Sequence, residues 1–85
     1  MTTWNEAPCR SGVALKTTIQ GYSIADALRN SINAWLEQVY GSWDNADTAG
    51  ASSLLRMLTK SEFELTVYLA DDFAIVDFKQ KFGWG

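Results

Sequence analysis

Histidine is missing from this 85-residue chain. Its absence removes the commonest general base, the usual zinc and copper ligand, and the base of any Ser-His or Cys-His nucleophile pair. Cysteine occurs once, as Cys9, so no disulfide closes within the chain, and a lone thiol fits a reducing compartment. Cys9 follows Pro8 and precedes Arg10, and it reads as a thiol of the arm or of a small core rather than as a nucleophile. No run of eighteen apolar residues appears, and the start Met1-Thr2-Thr3-Trp4-Asn5-Glu6 lacks the basic and apolar regions of a signal peptide. The expectation is a soluble, cytoplasmic protein that makes no use of a membrane. No glycine pattern suits a phosphate-binding loop. Neither cofactor nor metal is expected.

Positive charge is also scarce. Seven basic residues against ten acidic ones give a net charge of −3, which disfavours unaided phosphate binding. Arg10, Lys16, Arg29, Arg56, Lys60, Lys79 and Lys81 are scattered and form no stripe interleaved with aromatics, so direct nucleic-acid binding is not expected. The segment Trp43 to Gly50 offers Asn45, Asp47 and Gly50 at positions one, three and six of a calcium loop. Position five is Ala49 and position twelve, where a bidentate Glu belongs, is Arg56, so the calcium reading fails. A helix connection capped by Asp47 or Thr48 is the plainer reading.

What is present is a hydrophobic fraction of 47%, enough for a core, and an aromatic fraction of 13% with four tryptophans. The chain reads as one domain, with an arm over 1–11, a folded core over 12–82 and a tail over 83–85. Val13, Leu15, Thr17 and Ile19 alternate with Ala14, Lys16, Thr18 and Gln20, and Gly21 follows as a stop, which predicts a first strand. Ser23 and Asp26 suggest a capping box opening a helix that Gly41 closes, with Ile24, Leu28, Ile32, Trp35, Leu36 and Val39 on its apolar face. Ala51, Leu54, Leu55 and Leu58 have helical spacing and predict a second, shorter helix within 50–60. Phe63, Leu65, Val67 and Leu69 alternate as a second strand, and Ala74, Val76, Phe78 and Phe82 share one parity over residues 73–82.

With Asp71-Asp72 as the turn, the last two segments predict a C-terminal β-hairpin. With that two-residue loop Leu65 would face Phe78, and Glu64 and Glu62 would pair with Lys79 and Lys81; a four-residue loop from Asp71 to Ala74 keeps the same faces and pairs Glu64 with Lys81, so the sequence leaves both registers open. The expected architecture is an α+β two-layer sandwich in the order β-α-α-β-β. Its three-stranded sheet has strand order 1-3-2, with one long and one short helix on one face. The first strand would run antiparallel to the second.

On that frame Tyr68, Phe73 and Ile75 fall on the sheet face away from the helices, while Tyr40 and Trp43 flank the turn after the long helix. Exposed aromatics of this kind mark and anchor interfaces. Asp44, Asp47, Asp71 and Asp72 would meet a basic surface on another protein. The arm with Trp4, or the tail with Trp84, is the alternative cover for that face. The functional expectation is therefore a non-enzymatic protein-binding module that inhibits another protein. Its size and charge class includes immunity proteins and phage or plasmid proteins of the anti-defence or anti-CRISPR type. The alternative is a self-associating structural or assembly subunit, a homodimer or larger homo-oligomer built on the same face.

Overall fold

A computed structural model describes residues 4–9 and 12–82. Among them the chain forms β1 (Asn5–Cys9), β2 (Gly12–Gln20), α1 (Tyr22–Tyr40), α2 (Trp43–Thr48), β3 (Ser52–Met57), β4 (Glu62–Leu69) and α3 (Asp72–Lys81). The four strands make one antiparallel sheet in the order β1-β2-β4-β3. The class is α+β.

Both alternating segments behave as their pattern requires. In the β2–β4 register Val13 faces Leu69, Leu15 faces Val67, Thr17 faces Leu65 and Ile19 faces Phe63. Leu15, Ile19, Phe63, Leu65, Val67 and Leu69 are all buried. They form the sheet side of the core, and α1 covers them with Ala25, Ile32, Trp35 and Leu36. A side chain buried there contributes about 1.5–3 kcal/mol relative to exposure. The opposite sheet face carries Ala14, Lys16, Thr18 and Gln20 from β2, and Glu64, Thr66 and Tyr68 from β4.

α1 closes at Gly41 as its pattern indicates. Gly41 adopts φ 88°, and its N–H donates to Glu37 O at 2.7 Å, the left-handed termination that costs a glycine least. Its start differs from the capping-box reading. The residue before the helix is Gly21, with no side-chain cap, and Asp26 instead forms an ion pair with Arg29. The cap on α2 comes from Ser42, whose Oγ accepts from the Asn45 N–H at 3.2 Å, and not from Asp47 or Thr48.

Two further expectations are overturned, and the N-terminal segment takes a definite place. Residues 5–9 of the expected arm pair with β2, and Trp4 is buried against Phe78 on the helix side of the sheet. The segment within 50–60 is strand β3, where Leu55 opposes Leu65 and Leu54 opposes Thr66. Leu54 and Leu58 are therefore exposed, at odds with one buried helical stripe.

The largest correction concerns residues 73–82. They form helix α3 rather than a hairpin strand, and the sheet has four strands instead of three in the order 1-3-2. Asp71 precedes the helix, Asp72 lies in its first turn, and Lys79 and Lys81 lie in its last, the charge order that the helix dipole favours. Ala74 and Phe78, one turn apart, are fully buried. The expected ion pairs change with the fold: Glu64 pairs with Arg56 at 3.1 Å, and Lys79 pairs with Glu6 at 2.6 Å. Glu62 accepts from Gln20 Nε2 at 3.0 Å. The tail 83–85, including Trp84, lies outside the described residues.

A candidate interface on the outer face of α3

The end of α1 and the start of α3 meet at Tyr40. Its hydroxyl donates to Asp71 Oδ2 at 2.8 Å, and its ring centroid lies 6.3 Å from that of Phe73. The Tyr40 hydroxyl is pushed up to about 12, first by burial, then by its hydrogen bond to Asp71 and by that carboxylate's charge. Further along α3, Trp35 Nε1 donates to Asp77 Oδ2 at 2.6 Å. Two carboxylates of this surface are thus held by uncharged donors. Such a donor orients a carboxylate without neutralising it, which leaves it suited to a cationic group on a partner.

Between these fixed points lies a shallow groove of about 450 Å³ lined by Asp72, Phe73, Val76, Asp77 and Gln80. The spacing is that of one helical stripe, so a single face of α3 builds it. Phe73 is 62% exposed and Val76 is 56% exposed. The inward stripe of the same helix carries Ala74 and Phe78, with half-buried Ile75 and Phe82 packed against the core. Phe78 is the anchor, its ring 5.0 Å from Trp4, 5.5 Å from Trp35 and 4.8 Å from Phe82.

The structure divides the residues chosen from sequence into three groups. Tyr40, Asp71, Asp72 and Phe73 come together at one end of the groove. Trp43, Asp44 and Asp47 are exposed on α2, which Asn45 fastens to the end of α1 through Nδ2 donating to Tyr40 O at 3.1 Å. Tyr68 and Ile75 stand apart from both groups. Tyr68 is half-buried on the sheet face away from α1, opposite Ala14 and Ser52, whereas Ile75 turns toward the core. The expected Tyr68, Phe73 and Ile75 cluster does not form, because two of its three members sit on a helix instead of a strand. Trp4 does not cover that sheet face either.

Sequence reading missed Val76, Asp77 and Gln80 as surface residues and Trp35 as a donor to that surface. A helical reading of 72–81 would have exposed the first three as the stripe one and two turns on from Asp72 and Phe73. No group of three His, Cys, Asp or Glu side chains among the described residues comes together as a metal cradle. No helix among them is long and apolar enough to cross a membrane. Compared with protein-family models, with curated proteins and with solved structures, the chain finds no significant match in any of the three.

Proposed function

We propose that this protein is a binding module without catalysis, which acts by occupying a surface of another protein and so obstructing it. The observation that carries the reading is the outer stripe of α3, where Phe73 and Val76 stand exposed between the carboxylates Asp72 and Asp77. An isolated exposed apolar residue needs no explanation, whereas two adjoining ones in a groove with a charged rim support a small contact site. Aromatic anchors supply most of the energy at such sites, while rim charges speed encounter and set orientation.

The partner suited to this groove presents an apolar knob flanked by Lys or Arg. Obstruction fits better than chemistry for two reasons. The groove is built from one helix face, whereas an active site gathers polar groups from several elements into a cleft. The chain also has no histidine to serve as a general base. Placement among inhibitors of host defence or immunity proteins rests on size and charge and belongs to the same proposal.

The test is capture of partners from a bacterial lysate by tagged protein, in parallel with Phe73→Asp and Val76→Asp variants, at low and at high salt. Both side chains are exposed, so the variants keep the fold. Binding to the captured partner should fall at least about tenfold in each variant and weaken with salt. A partner retained equally by both variants would place binding elsewhere and sink the reading.

A further inference from the structure

The sheet has two outer edges, and they are built differently. β1 carries Pro8, which has no N–H to offer a neighbour, and Glu6, which is held by Lys79 of α3 at 2.6 Å. Proline and charge are the devices by which edge strands avoid pairing with other chains. β3 has no proline, its one charge, Arg56, is paired within the sheet with Glu64 at 3.1 Å, and exposed apolar side chains stand on both sides of it. Leu54 is exposed on the face away from α1, and Met57 and Tyr22 on the face toward it.

The hydrogen-bond parity of β3 can be read from its turn. Leu58 N–H donates to Glu62 O at 2.9 Å. Bonded and non-bonded pairs alternate along an antiparallel ladder, so in the register that sets Arg56 against Glu64, residues 52, 54 and 56 bond inward to β4. The backbone groups of Ser53, Leu55 and Met57 point outward, to the open edge.

From this we infer that a second copy of the chain pairs with β3 along this edge, giving a two-fold dimer with a continuous eight-stranded antiparallel sheet. A two-fold axis through Leu55 sets Leu55 against its own counterpart and Ser53 against Met57 in both directions. Every outward-pointing residue then meets another, and no backbone donor is left over. On the helix side, exposed Met57 lies beside the small Ser53. On the other side, Leu54 lies along the stem of Arg56 from the second copy, whose head group keeps its own Glu64. No two like charges face each other.

The helices leave room for this arrangement. α1 touches β2, β4 and β3 about evenly, so its axis runs over β4. In the dimer the two α1 axes are three strand spacings apart, roughly 14 Å. Packed helices approach to about 8–10 Å. The two helices clear each other, with space between them for Tyr22 and for Asn33, whose Oδ1 accepts from Ser53 Oγ at 2.8 Å. A closed two-fold pairing also consumes the open edge, as a head-to-tail contact would not.

The experiment joins sedimentation equilibrium with amide hydrogen exchange, both across a protein concentration series from micromolar to millimolar. The expected result is a concentration-dependent doubling of the 9.5 kDa mass. With it, the Ser53, Leu55 and Met57 amides gain protection as concentration rises, while those of Leu54 and Arg56 are protected throughout. Leu54→Lys places like charges beside Arg56 twice, by symmetry, and should weaken dimerisation about tenfold. Leu54→Glu, equally polar at the same site, should leave the dimer at least as tight as the wild type. A monomer at every concentration overturns the inference. So does a dimer in which the three outward amides exchange at an unchanged rate, or one that Leu54→Lys and Leu54→Glu affect alike.

Discussion

Truncating Phe78 tests whether residues 72–81 pack as a helix, because its effect can be set against that of its near neighbour Val76. Phe78 is fully buried, with its ring against Trp4, Trp35 and Phe82 at centroid distances of 5.0, 5.5 and 4.8 Å. Replacement by Ala removes the transfer energy of the ring and leaves a cavity, together about 3–5 kcal/mol. Three aromatic contacts, each contributing about 0.5–1.5 kcal/mol beyond area, place the loss toward the upper end. A chain of this length has about 4–13 kcal/mol of total stability. The lower bound of the loss, at about 4 °C per kcal/mol, lowers Tm by about 12 °C. Val76 is 56% exposed, and Val76→Ala should change stability by about 0.5 kcal/mol or less. In a strand, residues 76 and 78 share a face, and Val76→Ala would remove two buried carbons at about 0.8 kcal/mol each, before any cavity cost. Urea denaturation followed by tryptophan fluorescence and far-UV circular dichroism measures both variants. A cost for Val76→Ala of about 1.5 kcal/mol or more would refute the helical packing of residues 72–81.

Two other perturbations test neighbouring parts of the fold. Gly12→Ala should destabilise by about 1–3 kcal/mol in the same denaturation assay, because a Cβ there would meet Leu69 O at 2.1 Å and Ala70 Cα at 2.7 Å; an unchanged midpoint would contradict the close approach of β2 to β4. The Tyr40 hydroxyl is raised from 10.0 to about 12 in the folded protein, so its contribution is complete below about pH 10 and is lost as pH rises toward about 12. Tyr40→Phe should abolish that alkaline component, and a stability profile over this range that matches the wild type would count against the Tyr40–Asp71 hydrogen bond.

The legible parts of the fold are those where one periodicity wins. Over 63–69 only a period of two puts every aliphatic on one side, and β4 follows. Over 22–40 the spacing of three and four is long enough that no strand could hold it. Over 73–82 the two periods nearly coincide. Ala74, Phe78 and Phe82 fit a strand parity and a helical stripe alike, and the choice turns on whether Val76 or Ile75 faces inward. The core takes Ile75. The charges misled as well, since Lys79 and Lys81 can pair with Glu64 and Glu62 across a hairpin or complement the end of a helix dipole.

Residues 51–58 failed the opposite way. Ala51, Leu54, Leu55 and Leu58 keep helical spacing, yet at the sheet edge two of these leucines are exposed. The candidate surface inherited both errors. Phe73, Asp71 and Asp72 could be singled out from composition and position, but their neighbours Val76, Asp77 and Gln80 depend on the helix.

The two surfaces proposed here lie on opposite borders of the molecule, and this follows from the strand order. α3 is fastened beside β1 by Lys79 with Glu6 and by Phe78 with Trp4, while β3 forms the other edge. Pairing through β3 therefore leaves both α3 grooves uncovered. In the eight-stranded sheet the two β1 strands would be seven spacings apart, roughly 34 Å. A partner that is itself dimeric or densely arrayed could then be held at both grooves, with the second contact made at high effective concentration. Weak binding by a shallow groove is no obstacle under that geometry. A groove lined by one Phe and one Val offers limited area as a single site, and doubling it through an edge otherwise prone to uncontrolled pairing gives that edge a closed, self-limiting use.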